Sequence, residues 1–149
     1  MTADQDMRAA MATLPVPELD GHPFTTPRPL AEATVAIVTT AGLHRAGEDT
    51  FGLLDPAYRV LPHGDSDLRM SHNSQNFDRT GLMLDRNVAF PADRLDEMAA
   101  DGTVGSVAPN HLSFMGAQQD LSTILLDTGP AAARFLIDQG TDVVLLTPV

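Results

Sequence analysis

The sequence holds five histidines and no cysteine, so imidazole is the side chain best placed to move protons near neutral pH. Three of the five share a setting. His44 closes the run Thr39-Thr-Ala-Gly-Leu-His44, which follows an apolar stretch; His72 ends Arg69-Met-Ser-His72; His111 lies in Ala108-Pro-Asn-His111-Leu-Ser-Phe-Met-Gly116. Each is expected just past a strand. In an open α/β sheet, ligands bind beyond the C-terminal ends of the strands, so the three are expected to face one cavity as catalytic residues.

Three kinds of chemistry suit such a set. Neutral imidazoles could hold a zinc-like ion and leave one position open. They could act as general acids and bases, or hold a carboxylate. The plainer alternative is that each histidine satisfies loop backbone. Ser71, Ser113 and Thr40 are expected helpers in substrate binding, with Asn73 and Asn76 beside His72 and Asp78 as an orienting carboxylate. Loop Ser and Asn are common without any such role, and Thr39 and Thr40 also read as ordinary strand residues. His22 and His63 sit beside prolines and carry no comparable argument. Gly42 and Gly47 make no phosphate-binding fingerprint, there is no GxSxG elbow, and Met70, Met83, Met98 and Met115 read as core fillers.

These residues need a scaffold. Thr34-Val-Ala-Ile-Val-Thr-Thr40 is a near-continuous β-branched run, the pattern of a strand covered on both faces. Tyr58–Leu61, Asp67–Ser71 and Val104–Val107 are shorter strand candidates, and 141–149 reads as a buried strand running into a turn. Helices are expected over 2–13, over Pro91–Ala100 with proline at its start and Gly102 beyond its end, over Gln118–Leu126 and over Pro130–Gln139, the last burying Ala132, Phe135, Leu136 and Gln139. Residues 42–57, 72–87 and 108–116 read as loops. Strands alternating with helices predict an α/β domain at 30–149, a mainly parallel sheet with flanking helices in flavodoxin- or Rossmann-like layers. Residues 1–29 are expected to form a helix and a proline-rich N-terminal arm.

At 149 residues and 43% apolar composition, the chain is long enough for one domain with a substantial core. Its formal net charge is −11, every basic residue is arginine, and such a surface repels phosphate backbones, so nucleic acid is not an expected partner. No apolar run reaches the length of a membrane span and the acidic N-terminus lacks a signal-peptide core, so a cytoplasmic location is expected.

The runs Val35–His44, Asp55–Pro62, Asp67–His72, Asn87–Leu95, Gly105–Gly116 and Asp142–Pro148 together resemble the selenoprotein B family: the B subunits of glycine, sarcosine and betaine reductases and the selenoprotein subunit of D-proline reductase. The resemblance covers roughly residues 28–149. It implies reductive cleavage of a carbon–nitrogen bond in an amino-acid-like substrate, within a complex whose partner subunit can carry a pyruvoyl group. It also implies a selenocysteine or cysteine directly after the strand that resembles Val143–Pro148, where a helix N-terminus would favour the anionic nucleophile. This sequence departs from the pattern there. A UGA codon read as stop, a cleavage, or a divergent member working as half of a split pair would each give that ending. The alternatives to a reductase are a metal-dependent hydrolase or lyase built on His44, His72 and His111, and a non-catalytic subunit whose arm wraps its partner.

Overall fold

A computed structural model describes residues 3–13, 25–74 and 79–149. Helix α1 spans Ala3–Met11. The centre of the fold is β1, Thr34–Thr39. Successive side chains of a strand point to opposite faces, and here both faces are covered. Val35 and Ile37 pack with Leu61, Phe90 and Leu95, while Ala36 packs with Leu112, Ala132 and Leu136. Burial on both sides is why the run is β-branched and uninterrupted.

The other strands are β2 (Leu43–Arg45), β3 (Arg59–Pro62), β4 (Leu68–Met70), β5 (Ser106–Val107), β6 (Asn110–Ser113) and β7 (Val143–Thr147). Only Ala108 and Pro109 separate β5 from β6, too few residues for a crossover helix. Both therefore follow the same edge of β1 in parallel, β5 against Thr34 and Val35 and β6 against Val38 and Thr39. On the opposite edge β7 pairs in parallel along five positions, from Val35↔Val143 to Thr39↔Thr147. Asp142 fixes this register: its N–H donates to Thr34 O, and its carboxylate accepts from Thr34 N at 2.9 Å and meets Arg28 at 3.1 Å.

Helices flank both faces. The short α2 (Thr80–Leu84) is followed by α3 (Ala92–Ala100), which packs Ala92 and Leu95 on the Ile37 side. Helix α4 (Gly129–Asp138) packs Ala132 and Leu136 on the Ala36 side. The helix expected over Gln118–Leu126 does not form over that range: 118–121 are irregular, and a short turn from Ser122 runs through a π-turn at Ile124–Thr128 directly into α4, with the Gly129 N–H reaching back to Ile124 O. Pro130 has no N–H to offer an ordinary helical bond.

The fold departs from the expected one in three respects. The sheet is mixed, because β3 runs antiparallel to β6, and β2 and β4 form a separate antiparallel pair outside it. Two strands, β2 and β6, occupy stretches that read as loops. The final strand forms, but it is not buried: Leu145 is 40% and Leu146 is 68% exposed, because β7 is bonded only to β1 among the described residues.

Candidate functional site

The expected cluster of three histidines resolves into three separate environments. His44 and His111 do not follow strands; they lie within β2 and β6. His44 is buried and donates from Nδ1 to its neighbour's carbonyl, Arg45 O, at 3.0 Å. Among the described residues no group of three or more His, Asp or Glu side chains is arranged to hold a metal ion, so His44, His72 and His111 do not form the alternative metal site.

His111 is fully buried and wired to the α3 side of the sheet. Its Nδ1 accepts the Ile37 N–H at 3.0 Å, which places the ring proton on Nε2. Nε2 donates to His63 Nδ1 at 3.1 Å, and His63 Nε2 meets Asp96 Oδ1 on α3 at 3.0 Å. Phe90 packs edge-on against the His111 ring, with centroids 5.3 Å apart. Burial first, and the neighbouring His63 second, push its pKa down to about 4, so the imidazole is neutral. His63 has no evident role in the sequence, yet its signal was there: it lies two residues beyond buried Leu61, on the same face of the chain.

Ser113 and Ser71 serve the backbone. Ser113 Oγ accepts from Leu43 N at 2.8 Å and Ser71 Oγ from Phe51 N at 2.9 Å. Asn73 donates to Phe51 O at 3.3 Å and Thr39 to Ala89 O at 2.8 Å. His22, Asn76 and Asp78 lie outside the described residues.

Thr40 and His72 meet at the C-terminal end of β1, where the sheet rule places a ligand. Thr40 is the junction. Its carbonyl accepts from Gly116 N at 3.0 Å, and its hydroxyl accepts from Val149 N at 2.9 Å and lies 3.2 Å from Val149 O. Gly116 is glycine because the space is taken: a Cβ there would lie 2.8 Å from His72 Nε2, 3.1 Å from Val149 O and 3.2 Å from Thr40 O. One point thus gathers the imidazole, the last carbonyl of the β7 segment and the end of β1. Gly42, with φ +65°, lets the backbone of His72 close in from the other side; a Cβ there would sit 3.1 Å from His72 N. A cavity of about 450 Å³ opens beside Gly116, lined also by Thr40, Phe114, Leu121, Ile124 and Val149.

His72 is buried, and its Nδ1 accepts the Ser74 N–H at 3.2 Å, so the neutral ring carries its proton on Nε2, the atom turned toward Gly116. Burial, then the positive charge of Arg79, lowers its pKa. The guanidinium of Arg79 donates to the His72 carbonyl at 2.6 Å. A neutral imidazole backed by an arginine thus lies at the C-terminal end of the central strands, with Gly116 between its Nε2 and the cavity.

Comparison with known proteins agrees with the coarser part of the resemblance. The chain is related to a reductase subunit. It is 37% identical over 131 residues to the D-proline reductase subunit gamma of Acetoanaerobium sticklandii, a match covering 84% of this chain and 53% of that protein. The chain therefore spans about half the length of the curated relative it matches. No family model matches, and no solved structure matches. No helix among the described residues is long and apolar enough to cross a membrane.

Proposed function

We propose that these 149 residues are part of a selenoprotein-B-type reductase that cleaves a carbon–nitrogen bond in an amino-acid or betaine-like substrate, within a complex of subunits. The relationship to a D-proline reductase subunit carries this reading. The convergence of His72, Thr40, Gly116 and Val149 supports it, because a residue following Val149 would start beside His72 Nε2.

A selenocysteine or cysteine at that place would supply the nucleophile toward the carbon alpha to the carboxylate; the 149 residues contain neither. Overall, a dithiol gives two electrons and two protons, C–N becomes C–H plus N–H, and the dithiol becomes a disulfide. The residues of this chain prepare the site. The His72 Nε2–H donates a hydrogen bond to an anion, and the Arg79 charge favours the anionic form. Thr40 holds the β7 segment against β1 and so fixes where the nucleophile begins. Phe114, Leu121 and Ile124 give the cavity beside Gly116 an apolar wall. His111, kept neutral and wired to His63, orders the sheet beneath.

The test is to supply the complete protein carrying these residues, with its co-purifying subunits, with dithiothreitol and, in turn, D-proline, glycine, sarcosine and betaine. NMR should detect the C–N-cleaved product of one of them. Absence of product from all four overturns the reading.

A further inference from the structure

We infer that the free edge of β7, with the apolar grooves on its two faces, is a docking surface for another parallel strand and its crossover helices. The occupant is the polypeptide corresponding to the part of the D-proline reductase subunit outside the 131-residue match. This uses the relationship to that subunit but not the proposed nucleophile, so the two stand or fall separately.

The edge itself is the first observation. Strand β7 bonds to β1 on one side and, among the described residues, to no strand on the other. An open edge offers a row of backbone donors and acceptors to a further strand. The second observation is that both faces of this strand are apolar and incompletely covered. On the α4 side, Val144 and Leu146 join Val38, Ala132, Leu136 and Ile137 around a cavity of about 460 Å³. On the α3 side, Leu145 joins Leu30, Val35, Leu95, Met98 and Val104 around one of about 300 Å³. Leu146 and Ile137 are each 68% exposed. Strands of a parallel sheet are covered on both faces, and around β7 that covering stops short.

The chemistry selects the occupant. Strand β7 follows β6 through helix α4 as a parallel crossover, so on this edge, unlike the β3 edge where the sheet turns antiparallel, a further strand repeating that pattern arrives parallel with a right-handed helical crossover. Such a unit brings a strand for the edge and helices for the grooves. A second copy of this chain fits less well: two-fold pairing of β7 with itself gives an antiparallel contact without covering helices, and each copy carries a formal charge of −11. The relative has the material required, since nearly half of its length lies outside the match.

The test mixes the 149-residue chain with that remaining polypeptide of the Acetoanaerobium subunit, produced separately, and follows amide hydrogen exchange with light scattering. A 1:1 complex is expected, with exchange in Val143–Thr147 slowed at least tenfold and exchange in the β2–β4 pair unchanged. Leu146→Glu, at an exposed position, should weaken the complex at least tenfold while leaving the isolated chain folded. If the added polypeptide is insoluble alone, joining it to the chain through a flexible linker keeps the test open, and β7 must be protected there too. Fast exchange of β7 in the joined protein overturns the proposal. So does a homodimer of the 149-residue chain that protects β7, or a monomer in which β7 is already protected by the chain's own arm.

Discussion

His111 and His72 are the same side chain in similar burial, each with Nδ1 accepting a main-chain N–H, yet they do different work. The His111 Nε2 is committed to a second histidine and, through it, to Asp96 on α3. The His72 Nε2 instead packs against Gly116, beside Val149 and Thr40. Burial and a lowered pKa therefore do not by themselves mark a functional imidazole; the destination of the second nitrogen does. One histidine holds two strands and a helix together, and the other presents a donor at the strand ends.

The comparison can be broken at several points. His111→Ala should cost about 3 kcal/mol or more of stability, from the cavity left and the stranded Ile37 N–H, measured by urea unfolding; a loss below about 1 kcal/mol would mean that the histidine chain is not structural. Its titration gives nearly as large an effect. Because folding lowers its pKa from 6.5 to about 4, the folded state binds fewer protons than the unfolded state between those values. Stability from this group is complete above 6.5 and falls as the pH drops toward 4, by up to about 3 kcal/mol. His72 shifts in the same direction. The carboxylates whose pKa is lowered, half-buried Asp65 and exposed Asp85, Asp101 and Asp120, lose their contribution only below their ordinary 3.8, outside this window. Unfolding midpoints that stay level between pH 7 and pH 4.5 would contradict the wiring. His72→Gln should leave the unfolding midpoint nearly in place but lower turnover of the complete reductase about 100-fold, roughly 2.7 kcal/mol of barrier. Equal losses in both histidine variants would erase the distinction. Asp96→Asn, at a half-exposed position, should change stability by no more than about 0.5 kcal/mol.

Part of this was legible in the sequence. The β-branched run of β1, the helix after Pro91 and the apolar spacing of Ala132 and Leu136 carry their period openly, and the structure keeps all three. Strands β2 and β6 do not. They are three and four residues long and place His44, His111 and Ser113 inside the protein, where polar atoms meet main-chain groups instead of water. A strand that satisfies buried backbone with its own polar side chains loses the alternation by which strands are recognised. The site was half legible. His72 and Thr40 could be placed near strand ends, but Gly116 reads as an ordinary loop glycine until the structure brings three other segments against it.

The pairing of Thr39 with Thr147 has a temporal side as well. The central strand receives its neighbour on that edge only after more than a hundred intervening residues have been made. At a synthesis rate of about 5–20 residues per second, that is on the order of 5–20 s on the ribosome. For that interval the edge of β1 that will carry β7 is bare, apolar and ready to accept any strand that reaches it. Nascent chains of this protein should therefore depend on holding chaperones, and should aggregate most when translation pauses between β6 and β7.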